Sequence, residues 1–185
     1  MKNKLNQFWK FVWHDDSLLS LVLSAILIII LGKFIIYPII SLIFGTSLPI
    51  VAVVSNSMEH NTTFENWWSD NSEYYEEIGI EKLEFENYIL KNGFNKGDVI
   101  VLKGIKLEEI NRGDIIIFQS SGHEPIIHRV IEISKNSIGT KGDNNSQQLI
   151  FEKNIYDNEV IGKTLFKIPL LGWVKVLFMQ VLGQI

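Results

Sequence analysis

"NKGDVIVLKG" at residues 95–104 and "NRGDIIIFQS" at residues 111–120 repeat one pattern: a Gly-Asp pair, then a short apolar run rich in β-branched residues. Gly and Asp favour turns, and Val and Ile favour the pleated backbone, so each stretch reads as a tight turn feeding a strand. Three more runs follow: "EPIIHRVIEI" (124–133), "SIGTKGDNN" (137–145) and "VIGKTLFKIPLLGW" (160–173). No amphipathic helical periods separate them, which argues against a parallel α/β sheet. The expected fold is mainly β, a coiled antiparallel sheet or barrel-like domain.

On the N-terminal side the texture is different. "SLLSLVLSAILIIILGKFIIY" (17–37) is apolar on every face and carries one charge, Lys33. As a helix it is about 30 Å long, the thickness of a bilayer's hydrocarbon core. It is too long, and lacks a prompt small-x-small site, for a cleaved signal peptide, so an uncleaved anchor is expected. Lys2, Lys4 and Lys10 precede it, which predicts a cytoplasmic N-terminus, with Phe8, Trp9 and Trp13 at the inner interface and Lys33 near the outer one. Pro38, Gly45 and Pro49 are expected to interrupt any outward continuation of the helix, and "PIVAVV" (49–54) to return as a strand.

Residues 59–93 form an acidic insertion. Nine acids stand against one Lys82 over residues 59–90, interleaved with Trp67, Trp68, Tyr74, Tyr75 and Tyr88. A partly helical, solvated lobe covering some aromatics is expected there, and a docking surface is the sharper alternative. Asn61-Thr62-Thr63 is a glycosylation sequon. At the C-terminus, Val174, Leu177, Phe178 and Val181 recur at helical spacing, but the segment 174–185 is too short to span a membrane and suits its interface. The organisation expected is a cytoplasmic segment (1–16), an anchor with its outer-interface segment (17–45), an extracytoplasmic domain (46–173) and an interface helix (174–185). With no cysteine, thiolate chemistry and disulfides are excluded, and a net charge of −4 without a basic face argues against nucleic acid.

Candidate chemistry centres on "VVSNSMEH" (53–60), where Ser55 and Ser57 flank Asn56. A serine hydroxyl attacks only when a base takes its proton and donors receive the oxyanion. His14 falls on the cytoplasmic side, His60 and His123 in turn-rich sequence, and His128 within a strand that would fix its ring. A packed core histidine is the plain alternative for His128. Asp143, in "TKGDNN", could orient an imidazole, but Asp98 and Asp114 occupy similar Gly-Asp pairs.

In order behind the apolar segment, "VVSNSMEH", "GDIIIF" (113–118), "IIHRVI" (126–131) and "TKGDNN" (140–145) resemble the boxes of type I signal peptidases. They resemble in particular the archaeal and endoplasmic-reticulum branch, which uses histidine where most bacterial enzymes use lysine. That resemblance implies a membrane-bound serine endopeptidase with Ser57 as nucleophile, His128 as general base and Asp143 orienting it. It implies Ser55, with the Ser57 backbone N–H, as the oxyanion donor. It also implies signal peptides of secretory precursors as substrates, the bilayer and the export machinery as partners, and no metal or organic cofactor. Three positions depart from the family's pattern: Asn56 stands where glycine is common, His60 where proline is usual, and Leu149 where a second aspartate is expected. Glu152 and Asp157 are candidates to replace that acid, and His60 is a rival base. Rival readings are a non-catalytic membrane-anchored β module that binds a partner through its acidic insertion, and a self-cleaving peptidase of the same general fold.

Overall fold

The computed structural model describes residues 2–120, 122 and 124–183, and divides into two compact units, 1–43 and 44–185. In the first unit, α1 (Lys2–His14) precedes α2 (Leu18–Leu31), whose N-cap Ser17 accepts from the Ser20 N–H. The Ser20 hydroxyl donates to the Phe11 carbonyl at 2.7 Å, and that of Ser24 donates to Val12. Two orphan carbonyls at the end of α1 are thereby satisfied. Helix α1 itself was not foreseen from the sequence.

Leu18–Phe44 is a 27-residue apolar helix, long enough by length and composition to cross a membrane. Contrary to expectation, Pro38 does not stop it. A π-helical turn, Gly32–Ile36, precedes α3 (Tyr37–Phe44), and the Tyr37 N–H reaches back to the Gly32 carbonyl. The wide turn accommodates a proline that can neither donate nor tolerate the usual carbonyl beneath its ring. The break falls instead at Gly45, whose φ of 63° is the left-handed conformation that ends many helices.

The second unit is built on one six-stranded antiparallel sheet in the order β1-β2-β6-β3-β4-β5. Its strands are β1 (Ile50–Ala52), β2 (Val99–Lys103), β3 (Ile115–Phe118), β4 (Ile126–Ile133), β5 (Ile138–Lys141) and β6 (Val160–Ile168). The mainly β, antiparallel expectation is borne out. Strand β3 is buried along its whole length because both faces are covered. Ile115 and Ile117 join Val53, Met58, Phe94, Ile100 and Leu102 on one side, while Ile116 and Phe118 join Val130, Ile138 and Ile155 on the other. Bulges between Val101 and Leu102, Ile117 and Phe118, and Val130 and Glu132 supply local bends.

Asp98 and Asp114 prove to be turn residues of one kind. Each follows a left-handed glycine, Gly97 or Gly113, and each carboxylate accepts the backbone N–H three residues earlier, at Asn95 and Asn111. Lys167 pairs with Asp98 at 3.5 Å and Lys163 with Asp114 at 2.7 Å.

The insertion contains α4 (Phe64–Glu77) and the single turn α5 (Lys82–Phe85). Its aromatics face inward: Phe64, Trp67, Trp68, Tyr75 and Phe85 form a buried cluster with Ile80 and with Ile131 of β4. Glu65, Asp70, Glu73, Glu76 and Glu77 are exposed. The segment is thus a second small core docked on the sheet, with its acids turned to solvent. The C-terminal helix α6 (Trp173–Val181) begins one residue earlier than expected; its Val176 is buried, while Val174, Leu177, Phe178 and Val181 are exposed.

Candidate active site

Strand β4 delivers two consecutive polar residues to opposite sides of the sheet. His128, 4% exposed, pairs in register with Ile116; Arg129, fully buried, pairs with Ile115 and Lys141. Alternation sends the imidazole one way and the guanidinium the other.

On the His128 side, Nδ1 contacts Glu152 Oε1 in a short hydrogen bond. Glu152 is completely buried and held from two further directions: the Thr140 hydroxyl donates to Oε1 at 3.2 Å and the Leu149 N–H to Oε2 at 2.9 Å. Glu152 lies in a 3₁₀ turn, Ile150–Glu152, which is drawn under the sheet where Ile155 bridges to Ile138 on β5. An imidazole whose Nδ1–H is given to a carboxylate leaves Nε2 with a lone pair, the tautomer a general base needs.

The serine turn lies next to this ring. A Cβ on Gly142 would come within 2.8 Å of both His128 Nε2 and the Ser57 carbonyl oxygen, so those two atoms are within twice that distance of one another. Only glycine fits this crossing. The turn is sewn to the segment after β5: the Asn144 N–H donates to the Ser57 carbonyl at 2.8 Å and its side-chain amide to the Asn56 carbonyl at 3.0 Å. The hydroxyls of Ser55 and Ser57 are 3.2 Å apart. Met58 is buried beneath them, and its Sδ accepts the Asp143 N–H at 3.3 Å.

Asp143 corrects an expectation. It lies beside the serine turn, but its carboxylate faces the Arg129 side: Arg129 Nε donates to Oδ1 at 2.9 Å and Nη2 to Oδ2 at 2.7 Å. His60 Nε2 adds a bond to Oδ2 at 3.1 Å, and the Tyr75 hydroxyl donates to Oδ1 at 3.4 Å. With both oxygens so occupied, Asp143 does not orient His128; the acceptor at His128 Nδ1 is Glu152. Burial alone would raise the Asp143 carboxyl, but the Arg129 charge and the hydrogen bonds from His60 and Arg129 outweigh it and hold it below the ordinary aspartate range. Nearby Lys141 is pushed down to about 8, chiefly by burial.

The other candidates are otherwise engaged or belong elsewhere in the chain. Asp157 caps a turn, accepting the Leu107 N–H at 2.8 Å. His60 is closed in between Asp143 and the Trp67 ring, which stacks on it at 3.8 Å, so it cannot serve as a freely accessible base. His14 lies in α1 of the other unit, and His123 lies outside the described residues.

A groove of about 1200 Å³ opens in the same unit between edge strand β1 and α6, lined by Ile50, Ala52, Val54, Ile117, Pro125 and Phe178 among others. It reaches Val54, close in sequence to Ser57. Among the described residues strand β1 pairs only with β2, which leaves its outer edge available.

No family model matches the chain. Among curated proteins, the signal peptidase complex catalytic subunit of Homo sapiens is 28% identical over 102 residues, covering 48% of this chain and 52% of that protein. The corresponding catalytic subunit of Scheffersomyces stipitis is 31% identical over 102 residues, covering 49% of this chain and 61% of that one; that of Lodderomyces elongisporus is 29% identical with the same coverage. The chain is thus a homologue of peptidase catalytic subunits. More particularly, these are signal peptidases of the eukaryotic and archaeal type, the branch that the four sequence boxes resemble. The chain spans about half the length of the human relative.

Proposed function

We propose that the protein is a membrane-anchored serine endopeptidase that removes signal peptides from exported precursors. The Leu18–Phe44 helix serves as the anchor, the N-terminus is cytoplasmic, and the sheet unit works on the outer face. Relatives named as signal peptidase catalytic subunits support the substrate class. The observation that carries the reading is the Gly142 crossing, with the free nitrogen of a carboxylate-bound imidazole on one side and the Ser57 backbone on the other.

In this mechanism Ser57 Oγ attacks the scissile carbonyl carbon while His128 Nε2 takes the hydroxyl proton. The carbonyl oxygen becomes an oxyanion, received by the Ser57 N–H and the Ser55 hydroxyl. Collapse of the tetrahedral intermediate expels the amine, which leaves with the proton from His128, and an acyl-enzyme remains. Water, deprotonated by the same nitrogen, then releases the signal peptide's new carboxylate. Glu152 holds the ring in its tautomer and stabilises the transient imidazolium. The precursor lies extended along the free edge of β1, with main-chain hydrogen bonds giving affinity and the apolar groove accepting small side chains. The exposed apolar side chains of α6 rest at the membrane interface.

The test is incubation of detergent-solubilised wild type, Ser57→Ala and His128→Ala with a precursor bearing a small-x-small site. Cleavage by wild type alone is expected. Equal biological activity of Ser57→Ala would instead favour a binding module acting through the exposed acids of α4. Scission confined to the protein's own chain would favour a self-processing peptidase.

A further inference from the structure

We infer that His60 is a positioning residue for the Ser57 turn, acting through Asp143; the inference rests on the reading of Ser57 as nucleophile. Residues 56–60 are joined to residues 143–144 at four points. The Asn56 and Ser57 carbonyls accept from Asn144, Met58 Sδ accepts from the Asp143 N–H, and His60 Nε2 bonds Asp143 Oδ2. The first three involve neutral groups. The fourth ends on a carboxylate, and both side chains are fully buried, so it is the strongest of the four.

The environment fixes which nitrogen bonds. Asp143 already accepts two bonds from Arg129 and is held ionised, so His60 must donate from Nε2. Its Nδ1 is buried with no hydrogen-bond partner among the described residues. The ring has no room to swing: Trp67 lies on one face at an interplanar angle of 7°, and a Cβ on Gly93 would meet His60 Cδ2 at 2.8 Å. The backbone on either side is pinned as well, by the Glu59–Gly93 bridge and by the Phe94 N–H on the Met58 carbonyl at 3.0 Å.

Trp67 belongs to α4, as does Tyr75, which also bonds Asp143. The insertion therefore bears on Asp143 at two points, the Tyr75 hydroxyl and the His60 ring that Trp67 covers, and of these His60 is itself part of the serine turn's own segment. Arg129 anchors Asp143 independently of His60, through its own two bonds and through carbonyls of Ile89, Leu90 and Gly113. Loss of the His60 donor should then leave the fold standing and loosen the turn, which misplaces Ser57 against His128 more than it alters substrate binding.

The experiment compares His60→Leu, which removes the donor, with His60→Gln, which retains an N–H that can reach Asp143. With a precursor as substrate, His60→Leu is expected to lower kcat ~10-fold with KM changed less than about twofold, and His60→Gln to recover most of the loss. In parallel, amide hydrogen exchange at residues 56–58 and 143–144 should rise ~10-fold in His60→Leu while β2 and β3 stay protected. Wild-type kcat in His60→Leu, a loss expressed mainly in KM, or an equal loss in both variants would overturn the inference. If wild type fails to cleave any precursor, the reading of the function fails, and the exchange measurement still decides. Unchanged exchange at residues 56–58 then overturns the positioning role, and a rise confined to those residues and 143–144 supports it.

Discussion

Two histidine–carboxylate pairs flank the same serine turn, and they differ in almost everything but composition. His128 and Glu152 meet on one side of the sheet, where the ring's second nitrogen faces the Gly142 crossing. His60 and Asp143 meet on the Arg129 side, where the second nitrogen is buried against protein and the carboxylate is shared with Arg129 and Tyr75. The first pair keeps a lone pair near the serine turn that holds the proposed nucleophile; the second keeps a charge neutralised under an aromatic lid. What separates a pair fit for catalysis from one fit for holding is where the unused nitrogen points and whether the acid has a cation of its own.

The largest effect should come from the first pair. His128→Ala and Ser57→Ala are each expected to lower kcat by ~10³–10⁴ in a precursor-cleavage assay. A comparable loss in a variant at the His60 ring, with His128→Ala still active, would invert the comparison.

Next in size is the stability of the second pair. Asp143→Asn leaves the wholly buried Arg129 guanidinium without its carboxylate and should destabilise the protein by about 3–5 kcal/mol, read by urea denaturation in detergent. Glu152→Gln should cost about 1–2 kcal/mol by the same measurement, because no cation is stranded. Its signature is kinetic: kcat should drop ~10²-fold once the charge opposite the imidazolium is gone. If Asp143→Asn at full folding lost more activity than Glu152→Gln, Asp143 would regain the orienting role.

The smallest effect sharpens the electrostatics of the second side. Lys141 Nζ lies over the Tyr75 ring at 4.7 Å and is depressed to about 8 from 10.5, chiefly by burial. Between those values Lys141 binds more protons in the unfolded chain than in the folded one, so its contribution makes stability rise with pH over the lower part of the window. The rise is on the order of 1–3 kcal/mol, and Lys141→Met should flatten it. Burial raises Tyr75, so towards pH 10 the unfolded tyrosine ionises while the folded one does not; this opposes the rise, which is therefore read below about pH 9.5.

Much of this arrangement was legible beforehand. The Gly-Asp turns and Ile/Val runs specified the antiparallel strands, and the ordered boxes drew attention to Ser57 and His128. Glu152 was legible only as one of two candidates, because the family's aspartate position is occupied by Leu149. A further signal was present: Glu152 is the lone acid in "LIFEKNIY" (149–156), beside Phe151 and close to Ile155, which is buried, and an acid drawn in with such residues needs a buried partner. Arg129, inside "IIHRVI", carried the same message and pointed to a buried acid, which Asp143 supplies. Pro38 misled because a proline's cost to a helix depends on the turn before it, and the π turn at Gly32–Ile36 has no signature in composition.

By itself the sequence determined which segments are strands, which segment is long and apolar enough to span a membrane, and which residue types could carry acyl transfer. These follow from local backbone preference and hydrophobic period, both properties of neighbours along the chain. Only the tertiary structure decided that Glu152 rather than Asp143 meets His128, that His60 is locked under Trp67, and that the acidic insertion has an aromatic core against the sheet. The pairing of buried charges is settled by which groups come to share a low-dielectric space, and sequence spacing does not encode that.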